Sequence, residues 1–249
     1  MKIKRKNIYV VFVFSLLLTF SNAYSQRFVD LETGLAISGY NDVQIPRDTG
    51  TKFSLSRDLK TDPGFFFRLR LGYRLGSKHT LSVLVAPLSL NASGNIDKSI
   101  RFNGEEFPAN IPLEAVYRFN SYRLTYRYDF IRNKNLRLGF GITAKIRDAA
   151  ISIEGNDKKS ENKNVGFVPL INFRLEWFFA KKLSLLFEGD AAAASQGRAE
   201  DVLLALQLNL NEDVTLKAGY RILEGGANVE EVYNFALIHF IIAGVTYRF

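Results

Sequence analysis

The feature that most constrains the fold is a strict alternation of side-chain character in the last segment of the chain, residues 234–249. Read back from the end at every second position, the residues are Phe249, Tyr247, Val245, Ala243, Ile241, His239, Leu237 and Phe235. The interleaved positions include Gly244, Thr246 and Arg248. Side chains that alternate with a period of two point to opposite faces of a β-strand. The segment therefore predicts a strand with one almost wholly apolar face and a second, more polar face.

The same alternation returns along the chain and predicts an all-β fold of ten strands. The predicted strands are residues 28–39, 64–75, 79–91, 116–130, 136–153, 165–179, 183–192, 201–210, 214–223 and 234–249. Short turns such as residues 76–78 alternate with longer polar loops, which include residues 40–63, 92–112 and 154–164. An even strand number with this alternation is typical of an antiparallel up-and-down β-barrel. Eight strands is the alternative, because residues 191–205 would also suit a helix.

The distribution of charges and aromatic residues indicates whether such a barrel crosses a membrane. Twelve lysines and arginines share the less apolar face of the predicted strands. A soluble barrel could direct that face to water, so charge alone leaves both architectures open. The strands that descend to the short turns end in aromatic residues, which forms an interfacial girdle in a transmembrane barrel. The predicted periplasmic girdle consists of Tyr73, Tyr128, Trp177, Tyr247 and Phe249.

The ending Tyr247-Arg248-Phe249 resembles the C-terminal signature of bacterial outer-membrane β-barrel proteins. In its architecture, the chain beyond residue 25 is similar to small outer-membrane barrels of the OmpA, OmpX and OmpW kind, without a periplasmic domain. This resemblance implies an antiparallel transmembrane β-barrel located in the bacterial outer membrane. It also implies contact with outer-membrane lipids and lipopolysaccharide, and insertion by the barrel-assembly machinery, for which Phe249 would mark the closing strand.

The first 25 residues predict a cleaved secretory signal peptide. Lys2, Lys4, Arg5 and Lys6 precede a thirteen-residue apolar run, residues 8–20, which is too short for a spanning helix. Small residues at Ala23 and Ser25 place the cleavage after Ser25, so we expect the barrel to occupy residues 26–249. These 25 residues hold four of the 33 basic residues and no acidic residue, which leaves a mild net charge of +4 for the barrel. Neither that value nor any basic run favours nucleic acid as a partner.

The charges of the predicted inner face suggest an obstructed lumen. The eight lumen charges predicted to matter most are Arg68, Arg70, Arg123, Arg127, Arg174, Arg221, Glu176 and Glu188. Long charged side chains in a ten-stranded barrel leave a narrow path at most, and an excess of cations would favour anions. The first hypothesis is therefore a non-enzymatic barrel, either structural or a narrow, anion-biased channel for small solutes. The second is a surface binding or adhesion barrel that acts through its outer loops.

Catalytic and metal-binding patterns are scarce in this sequence. The chain has no cysteine and two histidines, His79 and His239, and the neighbours of His239 are Ile238 and Phe240. Omptin-like proteases need an Asp–His pair, and barrel lipid A deacylases need His and Ser two residues apart on one strand. Neither pattern occurs, so we expect no enzyme and rank a lipid-modifying enzyme last. The loop acids lack the ligand spacing of a calcium loop, so no metal site or cofactor is predicted.

Overall fold

The computed structural model describes residues 26–249, and within them the chain is built from β-strands joined by turns. The predicted signal peptide, residues 1–25, lies outside the described residues. The strands are β1 (Gln26–Gln44), β2 (Phe53–Ser54), β3 (Lys60–Thr61), β4 (Gly64–Leu75), β5 (His79–Ala86), β6 (Ser89–Asn95), β7 (Ile100–Phe102), β8 (Glu105–Phe107), β9 (Pro112–Arg132), β10 (Leu136–Gly155), β11 (Lys158–Phe178), β12 (Leu183–Ala194), β13 (Gly197–Asn209), β14 (Val214–Asn228) and β15 (Tyr233–Arg248). No helix among these residues is long and apolar enough to cross a membrane.

Pairing of the first and last strands closes the sheet into a barrel. β1 pairs with β15 in antiparallel register from Phe28 opposite Arg248 to Gln44 opposite Tyr233. Around the wall the order is β1, β4, β5, β9, then β10 to β15, and β6 continues the line of β5 along β9. The wall therefore has ten antiparallel strands, which confirms the predicted fold class and excludes the eight-stranded alternative. Pairing of β1 with β15 means that neither end of the sheet is left as a free edge strand.

Apolar side chains cover the outer face of this wall. Phe65 is 85% exposed, Ile142 68% and Phe167 68%, and all three alternate with side chains that point inward. Apolar exposure of this extent around a closed barrel marks a surface that contacts lipid. The short turns define one end of the barrel, here called the periplasmic end, and the longer connections define the outer end.

Several strands extend further than the sequence predicts. Their polar ends predict loops, but in the structure these residues continue the strands. Residues 154–164 belong to a continuous hairpin of β10 and β11, joined by the two-residue turn Asn156-Asp157. Both turn residues have positive φ, 50° and 58°, as the tight turns of β-hairpins require. Above the membrane, polar side chains face water on both sides of a strand. The backbone groups of such a strand still form hydrogen bonds to the neighbouring strand, so polar side chains there do not indicate a loop.

The predicted strand 79–91 is in fact interrupted at Pro87, which separates β5 from β6. Proline lacks the backbone N–H that the ladder uses, so it locally disrupts the pairing. The chain between β5 and β6 stays next to β9, because the Phe119 amide of β9 donates a hydrogen bond to the Leu88 carbonyl at 2.8 Å.

The predicted loops 40–63 and 92–112 are ordered parts of the outer end. Their apolar side chains pack against the upper parts of β9 and β10 in one buried cluster. It includes Val43, Ile45, Phe53, Leu55, Leu59, Ile96, Ile100, Phe102, Phe107, Leu113, Ile151 and Ile153. Burial of this many apolar groups stabilises one side of the outer mouth as a small core of its own.

Candidate functional site

The five aromatic residues predicted as a girdle lie at the periplasmic end. Tyr247 and Phe249 stack with ring centroids 5.8 Å apart, and Trp177 packs on Phe179 at 5.6 Å. Trp177, Tyr247 and Phe249 are each about half exposed on the outer face, and Tyr73 and Tyr128 close the neighbouring strands. Aromatic rings in this position suit the boundary between lipid and water.

The eight charged residues predicted for the lumen all lie on the inner face and form ion pairs. In the periplasmic half, Glu188 accepts from Arg70 at 2.9 Å and from Arg174 at 2.7 Å. Arg174 also reaches Glu176 at 3.1 Å, and Arg137 contacts the same carboxylate at 3.2 Å. Each carboxylate therefore meets two guanidinium groups, which lowers the cost of burying these charges.

A second group of ion pairs fills the middle of the barrel. Glu32 meets Arg221 at 2.9 Å, Lys217 at 2.6 Å and Arg68 at 3.4 Å. Asp201 binds Arg68 at 3.1 Å and also pairs with Arg123 and Arg221. Arg221 is one of the largest fully buried side chains of the described residues. The two carboxylates thus hold several strands together through shared cations.

Asp201 is a lumen residue that is missing from the charges predicted for the inner face, although it begins the predicted strand 201–210. It lies on β13, is 2% exposed and faces the lumen. The available signal was its phase: Leu203, Ala205 and Gln207 follow at every second position and share its face. Because neighbouring Glu200 faces outward, two adjacent acids have opposite environments.

The network leaves little free volume within the lumen. Two spaces beside it measure about 30 Å³ and 10 Å³. About 10–15 Å³ is needed for one water molecule, so spaces of this size do not form a continuous water column. A layer of apolar residues lies above the ion pairs, where Phe66 and Phe240 meet edge to face at 4.8 Å. The ion pairs and the apolar layer together form a plug.

A cavity of about 590 Å³ lies above this plug at the outer end. Phe119, Leu223 and Ile238 lie at its base, and most of its lining is apolar. Two basic residues from β10, Lys145 and Arg147, also line it. They are two positions apart on one strand, so both point to the same face about 7 Å apart.

Lys145 is a buried cation without a carboxylate partner. The residue is 2% exposed, and no carboxylate of residues 26–249 forms an ion pair with its ammonium group. Its Nζ lies 4.8 Å from the centre of the Phe119 ring, a contact of about 2 kcal/mol when desolvated. Arg147 donates a hydrogen bond to the side-chain oxygen of Asn164, while its buried Nε has no partner within the described chain. Both side chains therefore retain capacity to bind an anion.

The wall beside the cavity is not fully paired. β11 and β12 pair only from Phe178 opposite Ser184 up to Ile171 opposite Ala191. Above this point β11 continues to Lys158 while paired to β10 alone, and residues 192–194 of β12 pair to β13 alone. Pro169 lies two residues above the last pair, where the missing N–H suits a strand edge. We call this unpaired stretch between β11 and β12 the seam.

The cavity reaches through the seam. Its lining includes Phe167 and Ala193, which face outward, as well as Lys145 and Val168, which face inward. Because Ala192, Ala193 and Ala194 have small side chains, they leave the seam unfilled. The cavity therefore joins the upper lumen to the outer surface of the wall.

A polar cluster marks the rim beyond the lipid-facing band. Arg198 donates to both oxygens of Glu224 at 2.8 and 2.7 Å, and its guanidinium lies 4.9 Å from the Phe235 ring. Tyr40 donates a hydrogen bond to the same carboxylate. Partial burial raises the pKa of Glu224, but the hydrogen bonds from Arg198 and Tyr40 outweigh it and hold the pKa below its ordinary value. This ion pair is a fixed element of the rim near neutral pH.

Both histidines lie on the outer surface, away from the lumen charges. His79 contacts the Tyr126 hydroxyl at 2.8 Å near the periplasmic end. His239 forms a hydrogen bond with Tyr220 higher on the wall. Among residues 26–249 no group of three or more His, Cys, Asp or Glu side chains is arranged to hold a metal ion.

No protein-family model matches the sequence, and no curated protein matches it. Among solved structures, the chain is similar to the outer membrane protease OmpT from Escherichia coli, with a TM-score of 0.60 at 10% identity over 93% of this chain and 99% of that chain. It is also similar to the transport unit of the autotransporter AIDA-I from Escherichia coli, with a TM-score of 0.50 at 9% identity over 99% of each chain. At these identities the likeness shows the fold alone. The chain thus has the fold of an outer-membrane β-barrel, and neither neighbour assigns its activity.

Proposed function

We propose that this protein is a non-conducting outer-membrane barrel that binds an apolar or amphiphilic ligand in the cavity at its outer end. The observation that carries the proposal is the cavity of about 590 Å³ directly above a plugged lumen. Ligand sites in proteins have volumes of about 300–1,000 Å³, mostly apolar linings and a few well-placed polar groups. The cavity has this size and composition; its charged lining residues are Lys145 and Arg147 together with Arg198 and Glu224, which pair with each other at the rim.

The plug favours ligand binding over conduction. Conduction by a narrow channel was one form of the first hypothesis from the sequence. The central charges are paired across the lumen, and the spaces beside them measure about 30 Å³ and 10 Å³. Barrels of about eight strands are filled by side chains, and aqueous channels appear near sixteen strands. A ten-stranded barrel filled with paired charges therefore favours a binding barrel. The second hypothesis from the sequence assigns binding to the outer loops, whereas here the ligand lies in a cavity lined mostly by strand residues. The proposal includes no catalytic step.

Binding of a neutral apolar probe tests this function. We expect N-phenyl-1-naphthylamine to gain fluorescence with the protein in lipid nanodiscs, beyond the signal of empty nanodiscs. Ala192→Trp fills the cavity, because this alanine lines it from the inner face of β12, and should weaken binding by about tenfold or more. The matched control is Ala218→Trp on β14, which faces lipid away from the cavity. Absence of a signal above empty nanodiscs, or equal binding by both variants, would contradict the proposal.

A further inference from the structure

The seam opens to lipid rather than to water. Its lower end, Ile171 opposite Ala191, lies within the apolar band, since Ile171 is 61% exposed on the outer face. Phe167 and Val165, further up the same strand, are 68% and 69% exposed. Exposed apolar residues on a barrel wall contact lipid. The lower part of this opening is thus flanked on β11 by the apolar Ile171, Phe167 and Val165, and the charged Lys163 and Glu161 follow above them.

The inner part of the cavity has the opposite character, because it contains two cations that lack carboxylate partners among the described residues. Lys145 is 2% exposed and its ammonium group lies over the Phe119 ring without forming an ion pair, and Arg147 contacts Asn164. A buried cation without a counter-charge is unfavourable, and an anion placed between these groups would compensate both. The cavity therefore offers a site for an anion inside and an apolar path outside.

We propose that the occupant is an anionic single-chain amphiphile drawn from the surrounding lipid. Its carboxylate pairs with Lys145 and Arg147, and its chain lies along the seam between Phe167 and Ala193. This inference rests on the proposed function and names the ligand class of the same site. A single chain fits because the opening is one unpaired stretch between two strands, and the alanines of residues 192–194 leave room for it.

Two probes with the same hydrocarbon chain, one with an anionic and one with a neutral head group, test the inference. cis-Parinaric acid is a fluorescent fatty acid, and its methyl ester is the neutral counterpart. We expect the protein in nanodiscs to bind the acid about tenfold or more tightly than the ester, at a pH where the free acid is ionised. Lys145→Met should abolish this preference by weakening binding of the acid, and Lys145→Arg should retain it.

The two proposals fail in different ways. If the acid and the ester bind equally and Lys145→Met changes neither affinity, the anionic ligand class is overturned while the binding function stands. If neither probe binds above empty nanodiscs, the proposed function fails as well. Lys145→Met removes a buried charge that has no ion-pair partner and keeps an unbranched side chain only one atom shorter, so the variant should fold. An unchanged heat-modifiable band on a gel verifies this.

Access through the seam has its own test. Ala193→Trp places a large side chain on the outward face of the seam, and the control Ala218→Trp places one on the wall elsewhere. We expect Ala193→Trp to slow transfer of cis-parinaric acid from lipid to protein by about fivefold or more, in contrast to the control. Equal transfer rates for the two variants would overturn the lateral route.

Discussion

At the scale of single residues, the buried charge network depends most on Asp201. Its carboxylate meets the guanidinium groups of Arg68, Arg123 and Arg221, and it is 2% exposed. Removing one partner of a buried ion pair is strongly destabilising, because the charges left behind are neither solvated nor paired. Replacing Asp201 by an uncharged residue therefore removes a carboxylate that three buried guanidinium groups share.

We expect Asp201→Ala to lower the free energy of unfolding by about 3–5 kcal/mol. The matched control is Glu200→Ala, because Glu200 faces outward opposite Glu224, a residue of like charge. That substitution should change stability by no more than about 0.5 kcal/mol. Urea unfolding of both variants in lipid vesicles, followed by the folded band on a gel, measures the difference. Equal losses of stability would show that the network does not depend on Asp201.

Buried charged residues that face the lumen can be predicted from the sequence when the alternation of side chains around them is unambiguous. Arg123 and Arg127 lie on a strand of regular period, and the structure places both on the inner face. Asp201 is the first residue of the predicted strand 201–210 and follows Ser195 to Glu200, which are mostly small or polar, so the alternation before it does not show which face it occupies. Which cation pairs with which acid could not be deduced, since partners come from strands far apart in the chain. Arg221 and Glu32, for example, are 189 positions apart.

At the scale of elements, the hairpin of β10 and β11 rises well beyond the lipid-facing band. Its ladder continues without interruption to Gly155 opposite Lys158, past Glu154 and Lys159. The charged residues near the turn are the reason why the sequence predicts a loop over residues 154–164. Polarity reports contact with water, whereas strand pairing is decided by backbone hydrogen bonds. The boundary between strand and loop is therefore the part of an outer-membrane barrel that alternation predicts least well.

The position of this hairpin gives a prediction about topology. We expect an epitope tag inserted between Asn156 and Asp157 to be labelled on intact cells, because this turn lies at the outer end. A tag of equal length at Ser77, in a short turn at the periplasmic end, should be labelled after the outer membrane is permeabilised. The reverse pattern would mean that the barrel is oriented the other way.

The seam shows what alternation cannot predict about neighbouring elements. β11 and β12 each continue above Ile171 and Ala191 as regular strands, so nothing in their periodicity marks the point where their pairing ends. Pro169 is the local signal, since proline favours the edge of a sheet. Whether a strand has a partner depends on the path of its neighbour, which a single segment does not encode.

At the scale of the whole molecule, the barrel follows from a small number of physical requirements. In lipid an unpaired backbone group is costly, so alternating strands with an apolar face are most stable when the sheet closes on itself. Sequence alternation therefore predicted the all-β class, the ten strands and the antiparallel order. The state of the interior depends on which charges meet across the lumen, and the cavity depends on a missing strand pairing. Neither is a local property of the chain.

The central claim is that paired charges seal the lumen and leave the outer cavity as the functional part of the molecule. Conductance of the folded, unmodified protein in a planar lipid bilayer tests it most directly, with a general porin as the positive control for insertion. The account predicts no stable openings above the bilayer background, although the same sample shows the heat-modifiable band of a folded barrel. Reproducible open-channel steps from that sample, whether anion- or cation-selective, would contradict it.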